Sequence, residues 1–439
     1  MKKNNSPLSQ MGQRTEAPSI SWLMEVALAR PNLISLAAGF TDNPSLPVSS
    51  VRELLEDLLA SPQAGQAALQ YGTTMGDPEL RQLTASQLCR QDIGKAPAKL
   101  PPEYAPERMI ITNGSQQMLY MVTEAMCDPG DIVLVEDPTY FVYLGITQSH
   151  GLRCRGIRLM NDGIDLEHLE AVLNELKKSG DLRRVKMLYL VTYFQNPSGV
   201  TTCFAKKAAA LKLLKKYERD AGHPIYLLED AAYRDLRFGG EDIPTALTLP
   251  GAASRVIYAG TYSKPFATGL RVGFGILPEP LLTVVSRIKG NHDFGTANLL
   301  QQALKRAIIK GHYDKHLVAL RQRYHCKAQI MTRAIEHYFP PEVRWEKPTG
   351  GLYVWPDLPV PAGKQSRLFK TALDQGVLYV PGELCFADDA ARPKPLNQMR
   401  LSFGGALEKN IETGIERLGK AIASFLKKPA SGSRKAARK

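Results

Sequence analysis

The sequence predicts an α/β fold: a large domain on a mainly parallel sheet flanked by helices, with a smaller α+β domain after it. Two observations predict this. Between residues 109 and 276, short β-branched runs alternate with longer helical patterns, and that alternation builds a mainly parallel sheet covered on both faces. After about residue 318 the texture changes to one long helical pattern followed by short, mixed strands and helices. The length, 439 residues, allows two or three domains.

The elements follow in order. A polar opening segment, residues 1–48, is expected to join the small domain, with Leu33–Leu36 packing across the boundary. The large domain is expected over residues 49–317. Its strands are Met109–Thr112, Ile132–Glu136, Cys154–Leu159, Val185–Val191, Ile225–Asp230, Val256–Gly260 and Val272–Ile276. Leu166–Lys178 and Phe204–Ala221 read as the helices between them. The small domain, residues 318–426, opens on a long helix pattern, Leu317–Tyr338, and continues through Trp345–Trp355. A helix near Ser366–Gln375, strands at Val377–Val380 and Met399–Phe403, and a helix over Glu408–Leu426 complete it. Residues 427–439 form a basic tail with no apolar face to bury, expected to be disordered.

Composition narrows the function. Hydrophobic residues make up 44% and charged residues 23%, as in an ordinary soluble globular protein. No run approaches the length of uninterrupted apolar residues that a membrane span needs. Met1–Arg14 is polar, so no secretory signal is expected and the cytoplasm is the expected location. The net charge of +13 raises the question of nucleic acid, but the last 13 residues hold six of the cations and no acid. Without them the charge is +7, and without Lys2 and Lys3 it is +5. No specific nucleic-acid partner is expected of such a body. The six cysteines are dispersed, with no CxxC pair. No disulfide framework and no metal site is expected, and the cysteines read as small core hydrophobes in a reducing compartment.

Parallel sheets bind ligands at the carboxyl ends of their strands, and three strand ends stand out. After Met109–Thr112 comes Asn113-Gly114-Ser115-Gln116-Gln117, opening a helix. Free amides there, with a serine hydroxyl, suit an anion, although a Gly-Ser turn serves equally as a plain cap. Asp230 ends the fifth strand, with Tyr233 three residues on. It is either a carboxylate placed to meet a buried cation or a helix cap. After Val256–Gly260 comes Thr261-Tyr262-Ser263-Lys264, then Gly269-Leu270-Arg271-Val272-Gly273. Desolvation and a nearby cation lower a lysine's pKa and free its lone pair for imine formation, while hydroxyls with an arginine suit a phosphate. One ligand with a phosphate, a basic ring nitrogen and an aldehyde satisfies all three strand ends, and pyridoxal 5′-phosphate is such a ligand.

Further strings point the same way. Tyr71-Gly72 with Gly76-Asp77-Pro78-Glu79-Leu80-Arg81, Gln195-Asn196-Pro197-Ser198-Gly199, the Ser263-Lys264 string and Arg400-Leu401-Ser402-Phe403 occur in this order. Together they resemble the class I/II aminotransferases, the fold-type I pyridoxal phosphate enzymes, from about Leu33 to Leu418. The stretch Gly311-His312-Tyr313-Asp314-Lys315-His316-Leu317, with Arg321 and Tyr324, resembles a subgroup. That subgroup contains 2-aminoadipate and kynurenine aminotransferases and the aminotransferase-like domain of GntR-family regulators.

The resemblance implies roles. Lys264 would hold the cofactor's aldehyde and then carry the proton between the substrate Cα and the cofactor. Asp230 would pair with the ring nitrogen. Tyr233 and Asn196 would meet the phenolic oxygen, and Tyr140 would stack on the ring. Ser115, Gln116, Ser263 and Arg271, with Thr261, would hold the phosphate. Tyr71 would reach that phosphate from a second subunit, making a homodimer with shared sites. Arg400 would grip the substrate carboxylate, and Gly39 would line the entrance. Three positions depart from the pattern: Ala231-Ala232 after Asp230, Tyr193 before Phe194, and Thr268 before Gly269. Tyr193 is expected to shape the substrate pocket. The implied activity is transfer of the amino group of an L-amino acid, aromatic, kynurenine or 2-aminoadipate in type, to 2-oxoglutarate or a similar 2-oxo acid by ping-pong half-reactions. A β-lyase or decarboxylase on the same site is an alternative, since the cofactor carries the chemistry. A cofactor-sensing regulator is a further one, but the roughly 30 residues before Asn32 are too few for the winged helix it would need.

Overall fold

The computed structural model describes residues 6–426 apart from Pro31 and Ala96. The basic run at 427–439 lies outside the described residues. The strands are β1 (Ile34–Ser35), β2 (Met109–Asn113), β3 (Ile132–Asp137), β4 (Arg153–Met160), β5 (Gly163–Ile164), β6 (Val185–Val191) and β7 (Tyr226–Asp230). They continue as β8 (Val256–Thr261), β9 (Val272–Ile276), β10 (Tyr353–Val354), β11 (Val377–Leu378), β12 (Val380–Pro381) and β13 (Met399–Ser402).

Eight of them form one sheet in the order β2-β9-β8-β7-β6-β3-β4-β5. The run β8-β7-β6-β3-β4 is parallel. Its inner strands read as unbroken aliphatic runs because both faces are covered: every residue of β3 and β8 is buried. β9 is antiparallel to both neighbours. The chain between β8 and β9 is a short loop with no crossover helix, so it can only reverse direction. In consequence β2, β3, β6, β7 and β8 all end at one edge of the sheet, and β9 starts there, directly after Arg271.

Helix Gly114–Met126 packs over β8 and β9 and starts at that same edge. Gly273 makes the approach possible: a Cβ on it would overlap the backbone of Gly114 and Ser115. Helices Leu166–Ser179 and Phe204–Ala221 fill the crossovers. The first carries a clear cap at each end. Asp165 Oδ1 accepts from the His168 amide, and Gly180 closes the helix in the left-handed conformation.

The smaller sheets lie beyond. β10-β13-β12 is antiparallel, and β1 runs parallel to β11 with Ile34 opposite Val377. The opening segment is therefore tied to the C-terminal part of the chain. A buried ion pair fixes it further on: Lys327 Nζ lies 2.5 Å from Asp42 Oδ1, both side chains fully buried. The Asp42 amide also donates to the Tyr324 hydroxyl at 3.2 Å.

Three expectations need correction. The long helix starts at His312, not Leu317, because Gly311 at φ 74° caps it and Tyr313 is already buried. The strand expected at Val377–Val380 is two short strands that pair with different partners, β1 and β13. Four cysteines are buried as expected, but Cys203 is half-buried and Cys326 is exposed on the long helix.

Candidate active site

A cavity of about 160 Å³ opens at the carboxyl edge of the sheet. Ser115, Gln116, Tyr140, Asn196, Asp230, Tyr233, Ser263, Lys264 and Arg271 line it, with Val191, Ala232, Thr261 and Thr268. Residues far apart in sequence meet there because five strands end together. A second hollow behind Ala231 and Thr261 holds about 30 Å³, room for water rather than a ligand.

Lys264 sits in the loop after β8. Its Nζ donates to the Gly39 carbonyl at 2.8 Å. Burial, with Arg400 and Arg271 nearby, pulls its pKa down to about 8. A lysine so placed gives up its proton near neutral pH, as a nucleophile or base must.

Asp230 ends β7 and is buried. Its Oδ2 accepts from the Tyr189 hydroxyl at 2.9 Å and its Oδ1 from the Ala232 amide at 3.1 Å. Burial outweighs those bonds and raises its pKa to about 6. Among the described residues no ion pair reaches this carboxylate, so the site has the acceptor for a cationic N–H and lacks the cation.

The opposite chemistry stands at Ser115, Ser263 and Arg271. Arg271 Nη1 lies 3.3 Å from Ser263 Oγ and its Nη2 3.5 Å from the Asn113 carbonyl. Its backbone is left-handed at φ 52°, a conformation that costs energy for a non-glycine residue and marks functional loops. The Ser263 amide donates to Thr261 Oγ1 at 3.1 Å. Hydroxyls, an exposed guanidinium and the first amides of helix Gly114–Met126 make an anion cradle.

Arg400, on β13, is 1% exposed. Its Nη1 donates to Asn196 Oδ1 at 2.7 Å and its Nη2 to the Ala37 carbonyl at 2.5 Å, while Nε has no partner. The guanidinium lies between the rings of Tyr353 and Phe141, 4.5 and 5.3 Å from their centroids. A buried cation with an unused N–H is a receptor for a carboxylate.

Ten expected residues, Thr261 among them, thus line one cavity, and Arg400 and Gly39 join it through Asn196 and Lys264. Tyr71 does not. It is 81% exposed and stands edge-on to Phe294 over a separate hollow formed by residues 68–72 and 294–299. Tyr193 is corrected: it is no wall of the cavity. It is 1% exposed, its hydroxyl donates to the Ile243 carbonyl and accepts from Lys207, and its ring packs against Lys207 and Arg234. The departure at Thr268 does reach the cavity lining. Sequence reading missed Tyr189 and Tyr353. Tyr189 lies inside a strand, where nothing marks one aromatic from another. Tyr353 lies in a short segment recognisable only once β10 is paired with β13.

The residues present fit pyridoxal phosphate: a lysine with a loosened proton, a buried carboxylate wanting a cation, and an anion cradle share one cavity. Comparison with known proteins agrees on the class. The family model described as aminotransferase class I and II matches residues 31–418. The aromatic-amino-acid aminotransferase 1 of Thermococcus litoralis is 33% identical, over 90% of this chain and 89% of that protein. The 2-aminoadipate transaminase of Thermus thermophilus is 31% identical, over 94% and 96%. The crystal structure of Pyrococcus horikoshii kynurenine aminotransferase superposes with a TM-score of 0.85 at 31% identity, covering 96% of this chain and 98% of that one. The chain belongs to the class I and II aminotransferases and is an aminotransferase.

Proposed function

We propose that this aminotransferase uses pyridoxal 5′-phosphate to move the amino group of an aromatic amino acid, kynurenine or 2-aminoadipate to 2-oxoglutarate or a similar 2-oxo acid, in two half-reactions at the same site. One observation carries the reading: Lys264, with its proton loosened, shares a cavity with the cation-seeking carboxylate of Asp230. The bound cofactor supplies an aldehyde to take up the amino group and a ring to spread the charge left when the substrate Cα proton leaves.

The chain's own residues do the rest. Lys264 removes the proton from Cα and returns one in the reverse sense. Asp230 keeps a proton on the ring nitrogen, which makes the ring a better acceptor of charge. Ser115, Gln116, Ser263 and Arg271 hold the phosphate, and Tyr140 covers the ring face. Tyr233 and Asn196 meet the phenolic oxygen. Arg400 holds the α-carboxylate, and Gly39 stands at the entrance. Two relatives support the cofactor: the Pyrococcus horikoshii enzyme was crystallised with PMP, and Thermus thermophilus LysN with N-(5′-phosphopyridoxyl)-L-leucine.

Arg400 satisfies every L-amino acid alike, so the walls must select. Tyr140 and Tyr233 line the cavity, and aromatic walls favour flat or long side chains through burial and stacking. Steady-state kinetics on a donor panel should give the aromatic and long-chain donors at least about tenfold higher kcat/KM than aspartate, the worth of roughly 1.4 kcal/mol of contact. Aspartate as the best donor would refute the substrate reading and leave the family assignment standing.

The exposed Tyr71 supports sites shared between two copies of the chain. Tyr71→Ala and Lys264→Ala are each expected to be nearly inactive alone. When the two are co-refolded, half of a random mixture is mixed dimers, each with one intact site, so about a quarter of wild-type activity should return. A fully active monomer in sedimentation would refute the shared site.

A further inference from the structure

The polar groups around Arg400 have a fixed direction. An arginine only donates, so Asn196 must turn Oδ1 toward Arg400 Nη1, at 2.7 Å. That leaves Asn196 Nδ2 facing the Tyr233 hydroxyl at 3.4 Å, as donor. The Tyr233 hydroxyl has a second neighbour, the hydroxyl of Tyr353 at 3.0 Å. Tyr353 sits on β10, 2% exposed, behind the cavity that Tyr233 lines. Its hydroxyl makes no other hydrogen bond among the described residues, so donating to Tyr233 is what satisfies this buried O–H. Tyr233 then receives two hydrogen bonds on its two lone pairs, and its one proton has only the cavity left to point at.

The ring of Tyr353 has a second contact. It lies under the Arg400 guanidinium, 4.5 Å from centroid to carbon, where a desolvated cation is held by the ring face. Gly39 gives the hydroxyl its room: a Cβ there would come within 2.7 Å of it. The same residue's carbonyl accepts from Lys264.

We propose that Tyr353 is a positioning residue of the active site: its hydroxyl turns the Tyr233 proton toward the cofactor, and its ring seats Arg400 for the substrate carboxylate. This rests on the pyridoxal phosphate reading. Tyr233 donating to the phenolic oxygen steadies negative charge on that oxygen, which then holds a proton on the neighbouring Lys264 nitrogen less tightly. Removing the Tyr353 hydroxyl weakens Tyr233 as a donor, so that proton is held more tightly. Among the described residues, the other charged or titratable groups that act on Tyr233 or share its cavity are Tyr140, Arg400, Asp230, Lys264 and Arg271, and the substitutions below leave all of them unsubstituted.

The test uses cofactor-loaded enzyme without substrate. The pH midpoint of the cofactor's visible absorbance is measured for wild type, Tyr353→Phe and Tyr353→Leu. Tyr353→Phe should raise the midpoint by about 0.3 to 1 unit, the equivalent of one neutral hydrogen bond. A carboxylate probe without an amine, 3-phenylpropionate, should bind wild type and Tyr353→Phe within about twofold, because the ring remains. It should bind Tyr353→Leu about three- to tenfold more weakly, because the ring is gone. A midpoint within about 0.1 unit of wild type in Tyr353→Phe, well below one hydrogen bond's worth, overturns the proton-directing role. Equal probe affinity in the Phe and Leu variants overturns the seating role. If Tyr353→Leu does not fold, the Phe midpoint decides. A wild-type protein that takes up no cofactor refutes the underlying reading and this inference with it, whereas a normal wild-type spectrum with an unmoved Phe midpoint refutes the inference alone.

Discussion

Lys264→Ala should lose transamination by at least about a thousandfold, the combined worth of a positioned base and a covalent anchor. Lys264→Arg should fare no better, and this second variant separates charge from chemistry. The guanidinium keeps the positive charge beside Arg400 and Arg271, but it does not deprotonate in a protein and offers no lone pair. Lys264 is suited because burial and those two arginines bring its pKa down to about 8. The fold should tolerate the alanine: among the described residues the side chain's one hydrogen bond is to the Gly39 carbonyl, which lies on a partly exposed segment and can turn to water. Unfolding of the cofactor-free variant should therefore remain cooperative, with a midpoint near that of wild type. Borohydride treatment of the wild type with pyridoxal phosphate, followed by digestion, should leave the label on the Lys264 peptide. A label on any other lysine would sink the assignment.

How much of this was legible in the sequence differs by element and by physical cause. The strands of the large sheet are readable because each is covered on both faces, and burial writes an aliphatic run into the sequence. Val185–Val191 and Val272–Ile276 match the structure end to end. The two-residue strands β5 and β10 carry no such run, because tertiary pairing rather than local pattern makes them strands. At the site, a residue was legible when its backbone setting left a mark. Gly114, left-handed at φ 72°, and Gly273, packed against the backbone of Gly114 and Ser115, sit where a turn and a close approach limit the residue type. Tyr193 shows the opposite failure. It follows β6 in chain order, as a cavity residue would, but its side chain points to the far side of the sheet, into the Lys207–Glu229 pair, where Nζ and Oε1 are 2.8 Å apart and both side chains fully buried. Which side of a strand end a residue faces depends on the register of neighbouring strands, and that is invisible to a one-dimensional pattern. Tyr353 was hidden for the same reason, its role existing only through Tyr233 and Arg400.

Asp230→Asn should affect the cofactor-free and cofactor-loaded proteins in opposite directions, and the signs follow from burial. In the empty site the carboxylate accepts from Tyr189 and the Ala232 amide, has no cation, and titrates near 6 rather than at its usual 3.8. Between pH 4 and 6 the folded chain therefore holds a proton that the unfolded chain has released. Stability from this group is full below about pH 4 and is lost as pH rises through about 6. Asparagine keeps an oxygen for the same two donors and carries no charge. The cofactor-free variant should lose that part of the pH slope and be more stable than wild type at pH 7 by about 1–3 kcal/mol. With the cofactor the balance reverses. The ring N–H⁺ would be the cation that Asp230 lacks, and taking one partner from a buried pair costs about 3–5 kcal/mol. Cofactor affinity and turnover together should then fall by about a hundredfold to a few thousandfold. Thermal unfolding with and without pyridoxal phosphate, at pH 5 and pH 7, reads both effects. A variant less stable than wild type when empty would mean that Asp230 holds the fold. A variant binding the cofactor as tightly as wild type would mean that the ring nitrogen lies elsewhere.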